Sequence, residues 1–261
     1  MDAYVVIGIF IPLVGTSLGA ILALFMKNEL SNIARKILFG FASGVMVAAA
    51  FFSLLESAVA LVEESGGNVW LVPSIGFALG IGFLLLLDAV IPHLHRNTEK
   101  PEGIQRKKLK KSTMLAFSVT LHNIPEGMAV GVAFAGALSG SYVLSLTSAM
   151  VLAAVVALHN LPEGAIVSMS LRDAGLSKGK SVGVGIGSGA VEPVAALVTF
   201  LITSLITALL PYLLAFAAGA MIYVVVEELI PDAMAGEHTN VATIGFAIGF
   251  IILMATDLAL H

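Results

Sequence analysis

The sequence predicts an all-α integral membrane protein of eight transmembrane helices, with inverted repeats (spans 1–3 and 6–8) around a central pair, spans 4 and 5. Three observations predict it. Long apolar runs recur along the chain, every lysine and arginine falls into three connections, and short sequences from the first half reappear in the second.

The apolar runs come first. The chain is 58% hydrophobic and 11% charged, with a mean hydropathy of +1.01. A soluble chain of 261 residues needs far more charge to cover its surface. We read spans at 4–25, 36–62, 70–92, 113–138, 144–171, 182–206, 209–231 and 241–260. Each can cross a hydrocarbon core about 30 Å thick. None alternates apolar and polar residues as a barrel strand does, so helices satisfy the backbone. The first run is longer than a signal-peptide core and no small-residue cleavage site follows it, so no cleavable signal peptide is expected. With no cysteine, thiolate sites and disulfides are excluded, and a metal must bind through His, Asp, Glu, Asn or backbone oxygen.

The positive charges orient the spans. Lys27, Arg35 and Lys36 follow span 1. Arg96, Lys100, Arg106, Lys107, Lys108, Lys110 and Lys111 follow span 3, and Arg172, Lys178 and Lys180 follow span 5. By the positive-inside rule these three loops are cytoplasmic and both termini lie outside. The whole chain, 1–261, then reads as a single transmembrane domain, with 93–112 as a basic cytoplasmic loop. On a membrane chain such a loop sets orientation, and no nucleic-acid partner is expected.

The self-similarity is specific in its order. Phe41-Ala42-Ser43-Gly44-Val45-Met46 in span 2 reappears as Phe216-Ala217-Ala218-Gly219-Ala220-Met221 in span 7. Gly76-Phe77-Ala78-Leu79-Gly80 in span 3 reappears as Gly245-Phe246-Ala247-Ile248-Gly249 in span 8, which sets Asp88 opposite Asp257. Spans 2 and 7 cross in opposite senses, so the repeats are inverted, as in secondary transporters that bind substrate near the midplane.

The chemistry sits on spans 4 and 5. His122-Asn123-Ile124-Pro125-Glu126-Gly127 and His159-Asn160-Leu161-Pro162-Glu163-Gly164 are nearly identical. Ionisable residues in mid-span are costly and imply a partner or a function. His and Glu at i, i+4, with Asn and Glu at i, i+3, share one helix face. Each proline frees the carbonyl four residues back, Leu121 or Leu158, and kinks the helix. Two such helices offer two imidazoles, two carboxylates and two amide oxygens around one point. Imidazole with carboxylate suits a zinc-like divalent ion rather than calcium or magnesium. Glu192, before Pro193 in span 6, is a third mid-depth carboxylate and a further candidate ligand. An isolated pair of this kind could simply tie two helices together; two copies of H-N-x-P-E-G on adjacent spans argue for an ion.

These motifs resemble the ZIP (Zrt/Irt-like) family of metal-ion transporters, prokaryotic type. The resemblance extends over the eight spans, the outside termini and the basic loop after span 3. It implies transport of divalent transition-metal ions toward the cytoplasm, most directly zinc, with cadmium, iron and manganese as further candidates. It implies a two-metal centre: His122, Glu126, His159 and Glu163 in one site, and Asn123, Glu126, Asn160, Glu163 and Glu192 in the other. Spans 2, 3, 7 and 8 resemble a scaffold against which the rest move, within a homodimer in a prokaryotic cell membrane. Zinc or a similar cation is then the transported substrate, and no prosthetic group is expected. The end of span 3, with Asp88, His93 and His95, resembles a cytoplasmic release site, to which Glu227 and Glu228 of span 7 would contribute; ordinary interfacial residues are the alternative reading there. The span 3–4 loop lacks the long histidine-rich tract of eukaryotic members. Glu56, Glu63 and Glu64 form an acidic outer stretch.

Two other function classes fit parts of the pattern. A helix bundle of histidines and carboxylates also describes di-metal enzymes, but there is no H-E-x-x-H motif. A proton-coupled carrier of organic substrate could use His and Glu as a relay, although the density of ligands speaks for metal. No G-x-x-x-x-G-K-[ST] motif is present, so the chain carries no recognisable ATP site.

Overall fold

Apolar segments of 20 to 30 residues can satisfy their backbone in lipid only as helices, and each of the eight runs is a helix. The computed structural model describes residues 2–26, 30–94, 103, 110–140, 143–237 and 239–260. The helices are α1 (Ala3–Phe25), α2 (Asn32–Glu64), α3 (Leu71–Val90) and α4 (Lys111–Ala137). They continue with α5 (Leu146–Asp173), α6 (Lys178–Leu205), α7 (Thr207–Met234) and α8 (Val241–Leu260). The boundaries differ from the sequence expectation by a few residues. Ser31 caps α2 and Ser145 caps α5 through their hydroxyls. His95 and most of the basic 93–112 loop lie outside the described residues.

Seven of these helices are long and apolar enough to cross a membrane on length and composition; α4 is the exception. His122, Asn123 and Glu126 lower its hydropathy, as His159, Asn160 and Glu163 do in α5, but α4 carries fewer Val, Ile and Leu residues around the motif to offset them. Its position supplies the compensation, because α4 is buried along most of its length, Leu121 to Gly127 included except Ile124.

The helices pack in two pairs of pairs. α1 lies on α5 and α4 lies on α6, while α2 lies on α8 and α3 lies on α7. Small residues allow these approaches. A Cβ at Gly44 would overlap the backbone of Phe246 in α8, and one at Gly80 would overlap that of Phe216 in α7. Large apolar side chains on the outer faces, such as Phe10, Leu18, Leu79 and Ile251, are exposed, as lipid-facing positions should be.

Three irregularities sit near the bundle centre. π-helical turns interrupt α2 at Ala49–Glu56 and α7 at Val225–Leu229. Such turns insert a residue and re-aim the side chains that follow, and they concentrate at functional sites. α6 is broken at Ala190. Pro193 cannot donate to the carbonyl four residues back, so the second half restarts at Val191 with Glu192 in its first turn.

Candidate metal centre

The two motif helices deliver their polar side chains to one buried region. His122, Asn123 and Glu126 of α4 are buried, as are His159, Asn160 and Glu163 of α5 and Glu192 of α6. Both helices run through their prolines, Pro125 and Pro162, without ending. Glu126, His159 and Glu163 each offer one ligand atom, and the three atoms lie within 4.8 Å of one another. His159 Nε2 is 3.0 Å from Glu126 Oε1, and His122 Nδ1 is 3.6 Å from Glu163 Oε1. The motif pairs therefore cross: each histidine meets the carboxylate of the other helix.

The motif glycines explain how the neighbouring helices come close. A Cβ at Gly127 would lie 2.8 Å from Glu192 Cα, and one at Gly164 would lie 3.0 Å from the carbonyl carbon of Thr16. Only glycine lets α6 and α1 seat against the motifs at these points. Asn160 then meets both helices. Its Nδ2 donates to Glu192 Oε1 at 3.1 Å and to Thr16 Oγ1 at 3.2 Å. The Thr16 hydroxyl in turn donates to Glu192 Oε1 at 2.8 Å. The charges of Glu126 and Glu163 act on Glu192, so three carboxylates share one low-dielectric region.

Three carboxylates there outnumber the two histidines, and part of the region lacks hydrogen-bond donors. Glu126 Oε2, Glu192 Oε2 and Asn160 Oδ1 are buried with no hydrogen-bond partner among the described residues. Orphaned buried acceptors cost about 1–3 kcal/mol each unless something else satisfies them. A divalent cation does so, and clustered carboxylate, imidazole and amide oxygen is a ligand set for zinc-like ions.

A second polar chain leads away from the cluster. Glu228, in the π turn of α7, forms an ion pair with His122 Nε2, and Ser118 of α4 donates to Glu228 Oε2 at 3.3 Å. Glu227, its neighbour, is exposed. Below α3, His93 Nε2 sits 2.9 Å from Asp88 Oδ1 and His93 Nδ1 sits 2.8 Å from the Ile91 carbonyl. Tyr223 of α7 donates to Asp88. Burial works against a charged His93, but the bonds to Asp88 and Ile91 and the charges of Asp88 and Glu228 outweigh it. Its pKa is held above the ordinary value.

The structure thus brings together His122, Glu126, His159 and Glu163, and separately Asn160 with Glu192. Asn123 is buried beside them on α4. Sequence reasoning missed Thr16, Ser118 and Tyr223. Thr16 carried a readable signal: the interval from Thr16 to Glu192 nearly equals that from Phe41 to Phe216, so extending the repeat to span 1 would have found it. Ser118 and Tyr223 have no comparable signature.

Comparison with known proteins identifies the family. The profile of the family described as "ZIP Zinc transporter" matches residues 98–257. "Zinc transporter ZIPB" of Bordetella bronchiseptica is 35% identical over 98% of this chain and 81% of its own length. "Zinc transporter GufA" of Myxococcus xanthus is 36% identical over 94% of each chain. The human "Zinc transporter ZIP11" is 30% identical over 85% of this chain and 87% of its own, so the similarity extends beyond bacteria. All are named as transporters and none as an enzyme. On the motifs, the buried ligand cluster and these matches together, the chain belongs to the ZIP family of zinc transporters.

Proposed function

We propose that this protein carries zinc across the membrane toward the cytoplasm through a two-ion site on α4, α5 and α6. The observation that carries the reading is the buried Glu126, His159 and Glu163 cluster, whose ligand atoms lie within 4.8 Å of one another. His122, Glu126, His159 and Glu163 make the first site. Asn123, Glu126, Asn160, Glu163 and Glu192 make the second, with Glu126 and Glu163 bridging. Two divalent cations a few ångströms apart repel strongly at low dielectric, and shared carboxylates screen them. Cadmium, iron and manganese compete to the extent that N/O ligands bind them in a common series.

The route inward runs from His122 to Glu228 and then to Asp88 and His93. Glu227 and Glu228 share a π turn that presents one carboxylate inward and one outward. We further propose that α4 is the eighth span, held in the membrane by its neighbours, and that the two halves are inverted repeats. The packing of α2 on α8 beside that of α3 on α7 supports this, as does the way each aspartate is tied to its partner helix, Asp257 by Ser53 of α2 at 2.8 Å and Asp88 by Tyr223 of α7. Both termini lie outside in this reading, on the basis of the Lys/Arg distribution. A homodimer follows from the family likeness. The test is zinc uptake into proteoliposomes by the parent and by Glu126→Ala. Unchanged uptake in the variant refutes the site.

A further inference from the structure

The geometry points to Thr16 of α1 as the residue that positions the second ion site, by locking which atoms of Asn160 and Glu192 are left for the ion. This inference rests on the two-ion reading above. Three buried side chains from three helices form a closed ring: Thr16 O–H donates to Glu192 Oε1 at 2.8 Å, and Asn160 Nδ2 donates to Thr16 Oγ1 at 3.2 Å and to Glu192 Oε1 at 3.1 Å. Thr16 is 3% exposed, Asn160 2% and Glu192 0%, so water does not compete.

The ring decides orientation. An amide presents two donors on nitrogen and acceptor lone pairs on oxygen, and only its neighbours determine which way round it sits. With acceptors at Thr16 Oγ1 and Glu192 Oε1, the Asn160 nitrogen is held toward α1 and α6. Its Oδ1 keeps no hydrogen-bond partner among the described residues. Glu192 is handled in the same manner: Oε1 accepts two hydrogen bonds, while Oε2 accepts none among the described residues. The two atoms left over are both oxygens, one neutral and one anionic, which are the atoms a divalent cation takes. A hydroxyl is needed because it donates and accepts at once. Valine has nearly the same shape and does neither.

The position of Thr16 is itself set by the motif. Gly164 faces the Thr16 backbone as Gly127 faces the Glu192 backbone, so the two residues stand at corresponding places on α1 and α6. One place carries a carboxylate ligand and the other carries the hydroxyl that aims it. That difference makes the two halves of the centre chemically unequal.

The test uses the full chain in nanodiscs, with zinc binding by equilibrium dialysis for the parent, Thr16→Val, Thr16→Ser, Glu192→Gln and the double variant Thr16→Val/Glu192→Gln. Losing a charge-assisted hydrogen bond and the amide orientation together weakens the second zinc by about tenfold or more in Thr16→Val, and Thr16→Ser recovers most of it. The double variant loses less than the two single losses added together, because part of the effect of Thr16 passes through Glu192 and the rest through Asn160. A merely structural role predicts additive losses that spread to both ions. Parental binding by Thr16→Val beside a clear loss in Glu192→Gln overturns the role of Thr16 and leaves the two-ion reading standing. Parental binding by Glu192→Gln overturns both. Should Thr16→Val fail to fold, Thr16→Ser against Thr16→Ala decides the same point, and equal affinities in that pair refute it.

Discussion

Replacing the motif glycine of α4, Gly127→Ala, adds one methyl group at the point where α6 comes nearest the ion cluster. The new Cβ would lie 2.8 Å from Glu192 Cα and 2.9 Å from its carbonyl carbon. Relaxed carbon–carbon contact needs roughly 3.5–4.0 Å, so α6 must retreat by about 1 Å. Both atoms belong to backbone, and no rotamer change can relieve the overlap. Overpacking of this kind costs about 1–3 kcal/mol, against a gain of about 1 kcal/mol from replacing glycine by alanine in a helix. The net loss is then at most about 2 kcal/mol, which a membrane bundle tolerates. Ligand geometry does not tolerate it, because a site held to about 0.5 Å is moved by twice that. We expect Gly127→Ala to insert and fold, with a modestly lowered unfolding midpoint, and to lose zinc uptake by at least about tenfold. Gly187, in α6, has nothing within 4 Å of its Cβ position. Gly187→Ala is therefore the control, with parental uptake and equal or slightly higher stability. Uptake measured in proteoliposomes at matched protein density reads both. Parental zinc uptake by Gly127→Ala would refute the claim that α6 must seat against the motif.

Other outcomes follow from the same geometry. Glu192→Gln should weaken the second zinc while sparing the first, read by stepwise titration; equal weakening of both would contradict the division of ligands. Zinc affinity should fall as pH drops from about 7.5 to 5.5, because imidazole must be neutral to bind and its reference pKa is about 6.5. The double change His122→Gln, His159→Gln should flatten that dependence, and an unchanged profile would move the titrating role to the carboxylates. At the inner end, the folded pKa of His93 lies above its reference value, so the pair with Asp88 stabilises the fold below about pH 6.5 and that contribution fades as pH rises through the folded pKa. The gap in thermal midpoint between the parent and His93→Gln should therefore shrink toward alkaline pH; a gap that widens there refutes the ion pair.

Much of this was legible in the residues. Apolar run length predicts all eight helices, because lipid leaves the backbone no alternative. The H-N-x-P-E-G pair identifies six of the clustered side chains, because i, i+4 spacing fixes them on one helix face. What the spacing could not disclose is the crossing between helices: that His159 meets Glu126, and that His122 meets Glu163 and Glu228. These contacts depend on how α4, α5 and α7 rotate against one another. The π turn that carries Glu228 inward and Glu227 outward was equally hidden, since an inserted residue leaves no mark in an apolar run. Thr16 was overlooked for a different reason. A lone threonine in a span reads as an ordinary residue bonded to the carbonyl four back, and a weak 3.4 Å contact to Pro12 does exist. Its long-range partners give it its importance.

The most direct test of the central claim is to count zinc ions and measure zinc uptake on the same preparation, for the parent, Glu126→Ala and Glu163→Ala. If the buried cluster is where the travelling ions rest, and these two carboxylates bridge them, each variant loses both bound ions and its uptake together. A variant that keeps the parental number of bound zinc ions and the parental uptake rate would show that the ions pass elsewhere.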